Sequence, residues 1–401
     1  MDFSISPFGV IFLNIPHSLS PMPSKPIRYI KGIGMTKFGA SDKQSYMLAY
    51  DAIYDALKNA DLSPNQLDAV IISNLDFSTN GERQRHFASM FSSLLKLNKP
   101  IIRVPSACAS SGVALSTAMK MDFNNILVVG AEKLSTMKTQ FVTDEFMMGG
   151  EYVWEQPEGM IFPAQSALIA QQHFAKYGSN INDLSLISLK NHANGYKNPK
   201  ARFYKKQVTM EEIENSPIVT SPLRLMDCSI SVDGAAAVVL TKDKTDVGII
   251  GSGMETDALP MFERDDLASW KATKLAAEIA YNQAGIVPSD IDFAEIHDAF
   301  TIVELISYED LGFCEKGKGQ ELIRNNATAL DGKLPVNASG GLKAKGHPIS
   351  ATGVAQIVEI TEQLRGEAGD RQITKAKIGL AQNIGGAGGS VAVNILKKVN
   401  G

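Results

Sequence analysis

Cysteine is scarce in this chain of 401 residues: Cys108, Cys228 and Cys314 are scattered and odd in number. That excludes a disulfide framework and points to a reducing, cytoplasmic setting. No CxxC occurs, and the six histidines lack the spacing of ligands, so no metal site is expected. Neither charge sign is in large excess, the net charge being -4. With no basic–aromatic pattern either, nothing draws the chain to nucleic acid. No apolar run approaches the ~18–20 residues that span a bilayer, so no membrane partner is expected. FGVIFLNI (8–15) is too short to span, follows Asp2 with no basic residue, and precedes no small-residue cleavage site. Residues 1–26 therefore read as an extension and not a signal peptide, with Met22 as an alternative start. A GxGxxG between strand and helix is also missing, so a dinucleotide fold is not implied.

What is present is ordinary globular material, 44% hydrophobic and 20% charged, enough for a large core. It is written twice. IRYIKGIGMTKFG (27–39), a helical-period segment (45–60) and DLSPNQLDAVIIS (61–73) give strand, glycine turn, helix, turn and strand. DVGIIGSGMETDA (246–258) and the segment 270–298 repeat that order. Ala56–Ser73 and Ala280–His297 align without a gap, Pro64 facing Pro288 and Asp68 facing Asp292. Each half continues with a strand, a small-residue turn and a helix, and ends in strands. The expectation is a duplicated α/β unit, residues 27–245 and 246–401, with mostly parallel sheets covered on both faces. Residues at about 134–222 have no counterpart. They are expected to form an inserted lobe with two helices and the polar loop NHANGYKNPKARFYKK, suited to substrate binding.

Four small motifs could carry chemistry. Cys108, in PSACASSG, precedes an apolar helix whose dipole would favour a thiolate. His347, in GGLKAKGHPISATG (340–353), occupies the corresponding turn of the second half and is the natural base for that cysteine. The stretch looks too flexible for core. His297, in EIHDAF, could donate a ring N–H to an oxyanion, or simply start a helix capped by Asp298. NIGGAGGS (383–390) could offer backbone N–H groups to a second oxyanion.

SACASSG, GMIFPAQSALIAQQHFAKYG, SVDGAAAVVL, HDAF and GGLKAKGHPISATG occur in the order found in the thiolase superfamily, which the chain resembles from about residue 27 onward. HDAF resembles sterol-carrier-protein-type thiolases and archaeal acetyl-CoA acetyltransferases. The resemblance implies a five-layered αβαβα fold, a homodimer or dimer of dimers, and coenzyme A thioester substrates with no further cofactor. It makes Cys108 the acylated nucleophile and His347 its activator. His297 and a water would form one oxyanion hole, and the backbone N–H groups of Cys108 and Gly385 the other. Many thiolases carry a second catalytic cysteine in a CxG motif where this chain has Asn383-Ile384-Gly385. Sterol-carrier-protein-type enzymes can place it in HDCF, here Ala299. With both absent, His347 is the first candidate for the α-proton and Cys228 the outsider, while Asn383 would orient the thioester or a water. Arg202, Lys205 and Lys206 are expected to hold coenzyme A phosphates, with Ser339 a further substrate-binding residue.

The implied reaction joins two acetyl-CoA into acetoacetyl-CoA and coenzyme A. The alternatives are a longer-chain 3-ketoacyl-CoA thiolase and a non-catalytic acyl-CoA-binding or scaffold subunit. The archaeal resemblance also implies a hydroxymethylglutaryl-CoA synthase as partner, bridged by a small acyl-CoA-binding protein.

Overall fold

The computed structural model describes residues 25–75 and 80–399. The extension at 1–26 lies outside these residues except for Lys25 and Pro26. The first half runs β1 (Arg28–Met35), α1 (Ser45–Ala60), β2 (Ala69–Ser73), α2 (Phe87–Leu95), β3 (Ile101–Arg103), α3 (Ser110–Lys120) and β4 (Ile126–Glu132). Four helices follow: α4 (Thr139–Met147), α5 (Phe162–Tyr177), α6 (Ile181–Lys197) and α7 (Met210–Glu214). A short hairpin, β5 (Ile218–Thr220) with β6 (Leu223–Arg224), then leads to β7 (Gly234–Thr241). The inserted segment thus holds four helices, not two. The second half runs β8 (Val247–Thr256), α8 (Lys271–Ala284), β9 (Phe293–Glu295), α9 (Thr301–Asp310), α10 (Gly319–Arg324), α11 (Thr352–Arg365), β10 (Ile378–Gly385) and β11 (Ser390–Lys398).

Nine strands share one sheet in the order β3-β2-β4-β7-β1-β8-β11-β10-β9. Read outward from its middle, the order in the second half repeats the first. Val336 bridges Ala294 at the place that β3 takes in the first half. The halves meet where β1 pairs antiparallel with β8, through Arg28↔Ile249 and Tyr29↔Gly248. The expectation of mostly parallel sheets does not hold. Among the described strand pairs, only β2–β3, β2–β4 and β9–β10 are parallel. The closing strand of each half, β7 or β11, returns antiparallel, β11 directly through the glycine turn after β10.

Alternation along the strands builds the layers. In β4, Ile126 and Val128 join the central core while Leu127 and Val129 join the outer one. In β7, Ala236 and Val238 face inward and Ala235 and Ala237 outward. Burial on both faces explains these near-continuous apolar runs. α1 covers the outer face of the first half-sheet and α8 that of the second. α3 and α11 lie between the half-sheets, each touching strands of both, which completes five layers. The outer contacts are themselves duplicated. A Cβ on Gly32 or Gly34 would stand 2.2 or 2.1 Å from the Ala56 or Ala52 carbonyl oxygen of α1. On Gly251 or Gly253 it would stand 2.2 or 1.9 Å from that of Ala280 or Ala276 in α8. Only glycine lets strand and helix backbones touch this way.

The two central helices meet at Gly112 and Gly353. Ser111 Oγ accepts from the N–H groups of Gly353 (2.7 Å) and Val354 (3.2 Å), so a side chain of α3 caps the start of α11. A Cβ on Gly353 would stand 2.5 Å from Asn383 Oδ1, 2.8 Å from Gly112 N and 2.9 Å from Ser111 Oγ. Gly353→Ala should therefore push the helices apart and lower stability by about 1–3 kcal/mol, the usual range for overpacking. Denaturant unfolding checks this; an unchanged midpoint would show that the crossing relaxes freely.

Candidate active site

Cys108 sits on the turn that joins β3 to α3. Ala109 N donates to Ser106 O at 3.0 Å and Ser110 N to Ala107 O at 3.1 Å. Ser110 Oγ accepts from Ser106 N at 2.8 Å and donates to the Ala107 carbonyl at 2.5 Å. The turn forces Ala107 to φ 46°, a left-handed conformation uncommon for a residue with a Cβ. Asn337, at φ 57°, occupies the matching place in the second half, each lying two residues after a proline.

The stretch 340–353 is core throughout, contrary to its flexible look. Gly340, Gly341 and Gly346 adopt positive φ, which folds the chain into a tight buried loop. His347 N donates to Ile230 O at 2.8 Å, and Ser231 bridges His347. The His347 ring Nδ1 lies 2.7 Å from Thr352 Oγ1, which also points to the Pro348 carbonyl. If the threonine hydrogen goes to that carbonyl (3.5 Å), Nδ1–H donates to Thr352 and Nε2 keeps a lone pair; the opposite tautomer would accept from the hydroxyl at Nδ1. Thr352, five residues on in the first turn of α11, went unnoticed in the sequence because nothing local marks it.

His297 follows β9 by two residues and stands edge-on to His347, ring centroids 5.4 Å apart. Asp298 does not cap α9. It accepts from the N–H groups of Leu342 (2.6 Å) and Lys343 (3.3 Å) and from Asn191 Nδ2 (2.8 Å), tying His297 to the His347 loop. Asn383, on β10, is buried behind these groups. Its Oδ1 accepts from Gly112 N at 3.0 Å. Its Nδ2 donates to Cys108 O at 3.0 Å and to His297 Nδ1 at 3.4 Å. The Cys108 sulfur and one nitrogen of each histidine all lie within 4.8 Å of one another. The fold thus assembles a donor cluster where sequence spacing showed none.

A narrow cavity of about 150 Å³ opens in front of these groups. Phe146, Phe162, Trp270 and Phe300 line it, with Ile349 and Ile384. Gly386 lines it too, and its N–H points to the Cys108 sulfur, as does that of Cys108 itself. Gly385, one residue earlier, packs against Ser106 O and Ala109. Cys228 also lines the cavity; its thiol donates to Arg224 O (3.5 Å), and its carbonyl accepts from the buried Lys343 ammonium (3.0 Å). Asn383 is not among the cavity's lining residues. Ser339 does not line it either: it is fully buried, held by Glu295 through its N–H (2.9 Å) and its hydroxyl. Arg202, Lys205 and Lys206 are exposed and stand outside the lining, on a loop whose backbone bonds Lys345 O and Ala344 O behind His347.

Burial dominates the electrostatics. It pushes the Cys108 thiol up to about 12, with the buried Glu132 carboxyl adding to the rise against the two backbone N–H groups. Desolvation thus opposes the expected thiolate, although the sulfur is only half-buried and faces the cavity, and α3 begins two residues after it. Burial lowers His347 to about 3 and, with His347 beside it, His297 well below its usual value, so both rings are neutral. Glu132, which sequence reasoning missed, is raised to about 8 by burial and accepts from Asn74 Nδ2 at 3.1 Å.

Two family models match. "Thiolase, N-terminal domain" covers residues 29–244 and "Thiolase C-terminal domain-like" residues 253–398. The chain is 38% identical over 380 residues to an acetyl-CoA acetyltransferase of Methanothermobacter thermautotrophicus, covering 92% of this chain and 98% of that one. It is 32% identical to human sterol carrier protein 2, covering 95% of this chain and 74% of that one. Among solved structures, human mitochondrial 3-ketoacyl-CoA thiolase superposes with a TM-score of 0.71 at 17% identity, covering 94% and 100%. The "Ltp2-ChsH2(DUF35) aldolase" superposes at 0.78 with 24% identity, covering 93% and 98%. These two share the fold.

A neutral thiol–imidazole pair has a pH signature. With the thiol at about 12, its thiolate fraction grows with every unit of pH through neutrality. Alkylation of Cys108 by iodoacetamide should thus accelerate about tenfold per pH unit between about pH 6 and 9. A rate already flat at pH 7 would show a preformed thiolate–imidazolium pair instead.

Proposed function

Since this chain belongs to the thiolase family, we propose that it is an acetyl-CoA C-acetyltransferase, condensing two acetyl-CoA into acetoacetyl-CoA and coenzyme A. The observation that carries the reading is the cluster of Cys108, His347 and His297 against one narrow cavity. The archaeal relative named acetyl-CoA acetyltransferase and the aromatic walls, which favour a short acyl group, support it.

Acetyl-CoA enters with its carbonyl oxygen toward the backbone N–H groups at the sulfur, those of Cys108 and of Gly385 or its neighbour Gly386. The Cys108 thiol attacks as its proton passes to His347 Nε2. Buried surroundings disfavour a free ion pair, so proton transfer and attack coincide. Coenzyme A leaves as a thiol, taking that proton. A second acetyl-CoA then places its thioester oxygen at the His297 N–H, and His347 removes an α-proton. The resulting carbon attacks the acetyl group, a C–C bond forms, the bond to sulfur breaks, and Cys108 regains its proton from His347. Thiolysis follows the same steps in reverse. No metal or redox cofactor takes part in this scheme.

The reading includes a homodimer and an acyl-CoA-handling partner of the kind the archaeal resemblance implies, a hydroxymethylglutaryl-CoA synthase joined by a small bridging protein. A solved relative described as the Ltp2-ChsH2(DUF35) aldolase assembles with a second chain, which supports a partnered role.

Radiolabelled acetyl-CoA tests the chemistry. Wild-type protein should acquire label on Cys108 and release coenzyme A, and Cys108→Ala should lose at least about 10⁴-fold in turnover. Wild type that binds without labelling would make the chain a non-catalytic subunit. His347→Ala should stop both acylation and deuterium exchange into the acetyl methyl group, whereas His297→Ala should leave acylation nearly intact. Methyl exchange at the wild-type rate in His347→Ala would transfer the base role to another group.

The exposed cations Arg202, Lys205 and Lys206 belong to the proposal as the phosphate contacts of coenzyme A. Neutralising all three should raise the KM for acetyl-CoA by about 10-fold or more with little change in kcat, as loss of uniform binding does. An unchanged KM would leave the loop a solvated surface.

A further inference from the structure

Asn383 holds three neighbours at once, and two of them fix its orientation. Oδ1 takes the Gly112 N–H at 3.0 Å, and Nδ2 gives a hydrogen to Cys108 O at 3.0 Å. A flipped amide would put a donor against a donor and an acceptor against an acceptor, both buried. Nδ2 is therefore the atom facing His297 Nδ1, at 3.4 Å. A neutral ring that accepts at Nδ1 must carry its hydrogen on Nε2. The neighbouring ring takes the other pattern when Thr352 directs its hydrogen to Pro348 O (3.5 Å): His347 Nδ1–H then donates to Thr352 (2.7 Å), leaving Nε2 with a lone pair.

We propose that Asn383 is a positioning residue that locks His297 as an N–H donor, and that this lock also denies the Cys108–His297–His347 cluster to soft metal ions. The inference rests on the acyltransferase reading for the use made of that N–H. The cluster itself is ligand-like: a sulfur and two imidazole nitrogens mutually within 4.8 Å, beside an open cavity that could supply a fourth ligand. A zinc ion would need a lone pair from each ring. Whichever nitrogen of His297 faces the sulfur, Asn383 withholds its lone pair: Nε2 carries the hydrogen and Nδ1 is already accepting. Metal-binding histidines have the opposite partner, a carboxylate or carbonyl that accepts the second ring N–H. Thr352 gives His347 that kind of partner, so the chain is one amide away from a metal trap at its nucleophile.

Asn383→Asp should convert it. The carboxylate keeps an acceptor for Gly112 N–H and accepts from His297 Nδ1–H, freeing the Nε2 lone pair, while it loses the hydrogen bond to Cys108 O and sets an oxygen against that carbonyl. Cobalt(II) is the probe, added to metal-free protein without acetyl-CoA. The variant should bind one ion per chain with the visible bands of tetrahedral cobalt and a thiolate charge-transfer band. Its affinity should exceed wild type by about 10–100-fold, the range that ligand-orienting partners govern. Cys108→Ala added to Asn383→Asp should abolish the charge-transfer band. Equal cobalt affinity in wild type and Asn383→Asp would overturn the proposal. Histidine-selective NMR of the wild type decides it independently, even if Asn383→Asp does not fold. His297 and His347 should show opposite tautomers, and a His297 hydrogen on Nδ1 would sink the idea. Neither readout uses acyl transfer, so failure here is distinct from failure of the labelling experiment.

Discussion

The crossing of α3 and α11 is the contact on which the rest depends. It is close because Gly112 and Gly353 present no side chains to each other, and specific because polar groups key it. Ser111 caps α11, and the Asn383 amide reaches from β10 to Gly112. The first residues of these two helices follow the turns that carry Cys108 and His347. The closeness of the helices is therefore the closeness of Cys108 and His347, the proposed nucleophile and base. Nothing in either half alone could bring the sulfur and the imidazole together.

Burial is the second constraint. It pushes the cysteine up to about 12 and His347 down to about 3, which disfavours a resting ion pair. On the proposed reading the site works with neutral groups and uses orientation in place of charge. Thr352 and Asn383 would then give the two rings opposite hydrogen patterns, one to accept a proton and one to donate a hydrogen bond. Behind them Asp298 and Lys343 stitch the His297 segment to the His347 loop and to Cys228. In a low-dielectric wall such a network stands only when its polar groups find partners, which is why these side chains are spent on one another and not on substrate.

Much of this was legible in the linear pattern. The repeated order of strand, helix and proline turn predicted the duplication, and the sheet repeats its strand order about the β1–β8 pair. Cys108, His347 and His297 stood out as chemistry-bearing types on small-residue turns, and they are the groups brought together. The return direction of β7 and β11 was not legible, because period-two burial says nothing about which neighbour a strand meets. Nor was the rigidity of 340–353: its glycines read as freedom, but their positive φ values serve a single buried loop.

Residue type and spacing were thus enough to outline the family plan and to single out the side chains that the fold brings together, because both are local properties of turns and periodic segments. Three things waited for the tertiary structure. The protonation state of Cys108 depends on desolvation, a property of everything packed around the sulfur. Asn383 and Thr352 acquire meaning only from the atoms they face across the helix crossing. Ser339 is buried away from the cavity, its hydroxyl bonded to Glu295, distant in the chain. Each depends on which atoms are neighbours in space, and a sequence orders neighbours only along the chain.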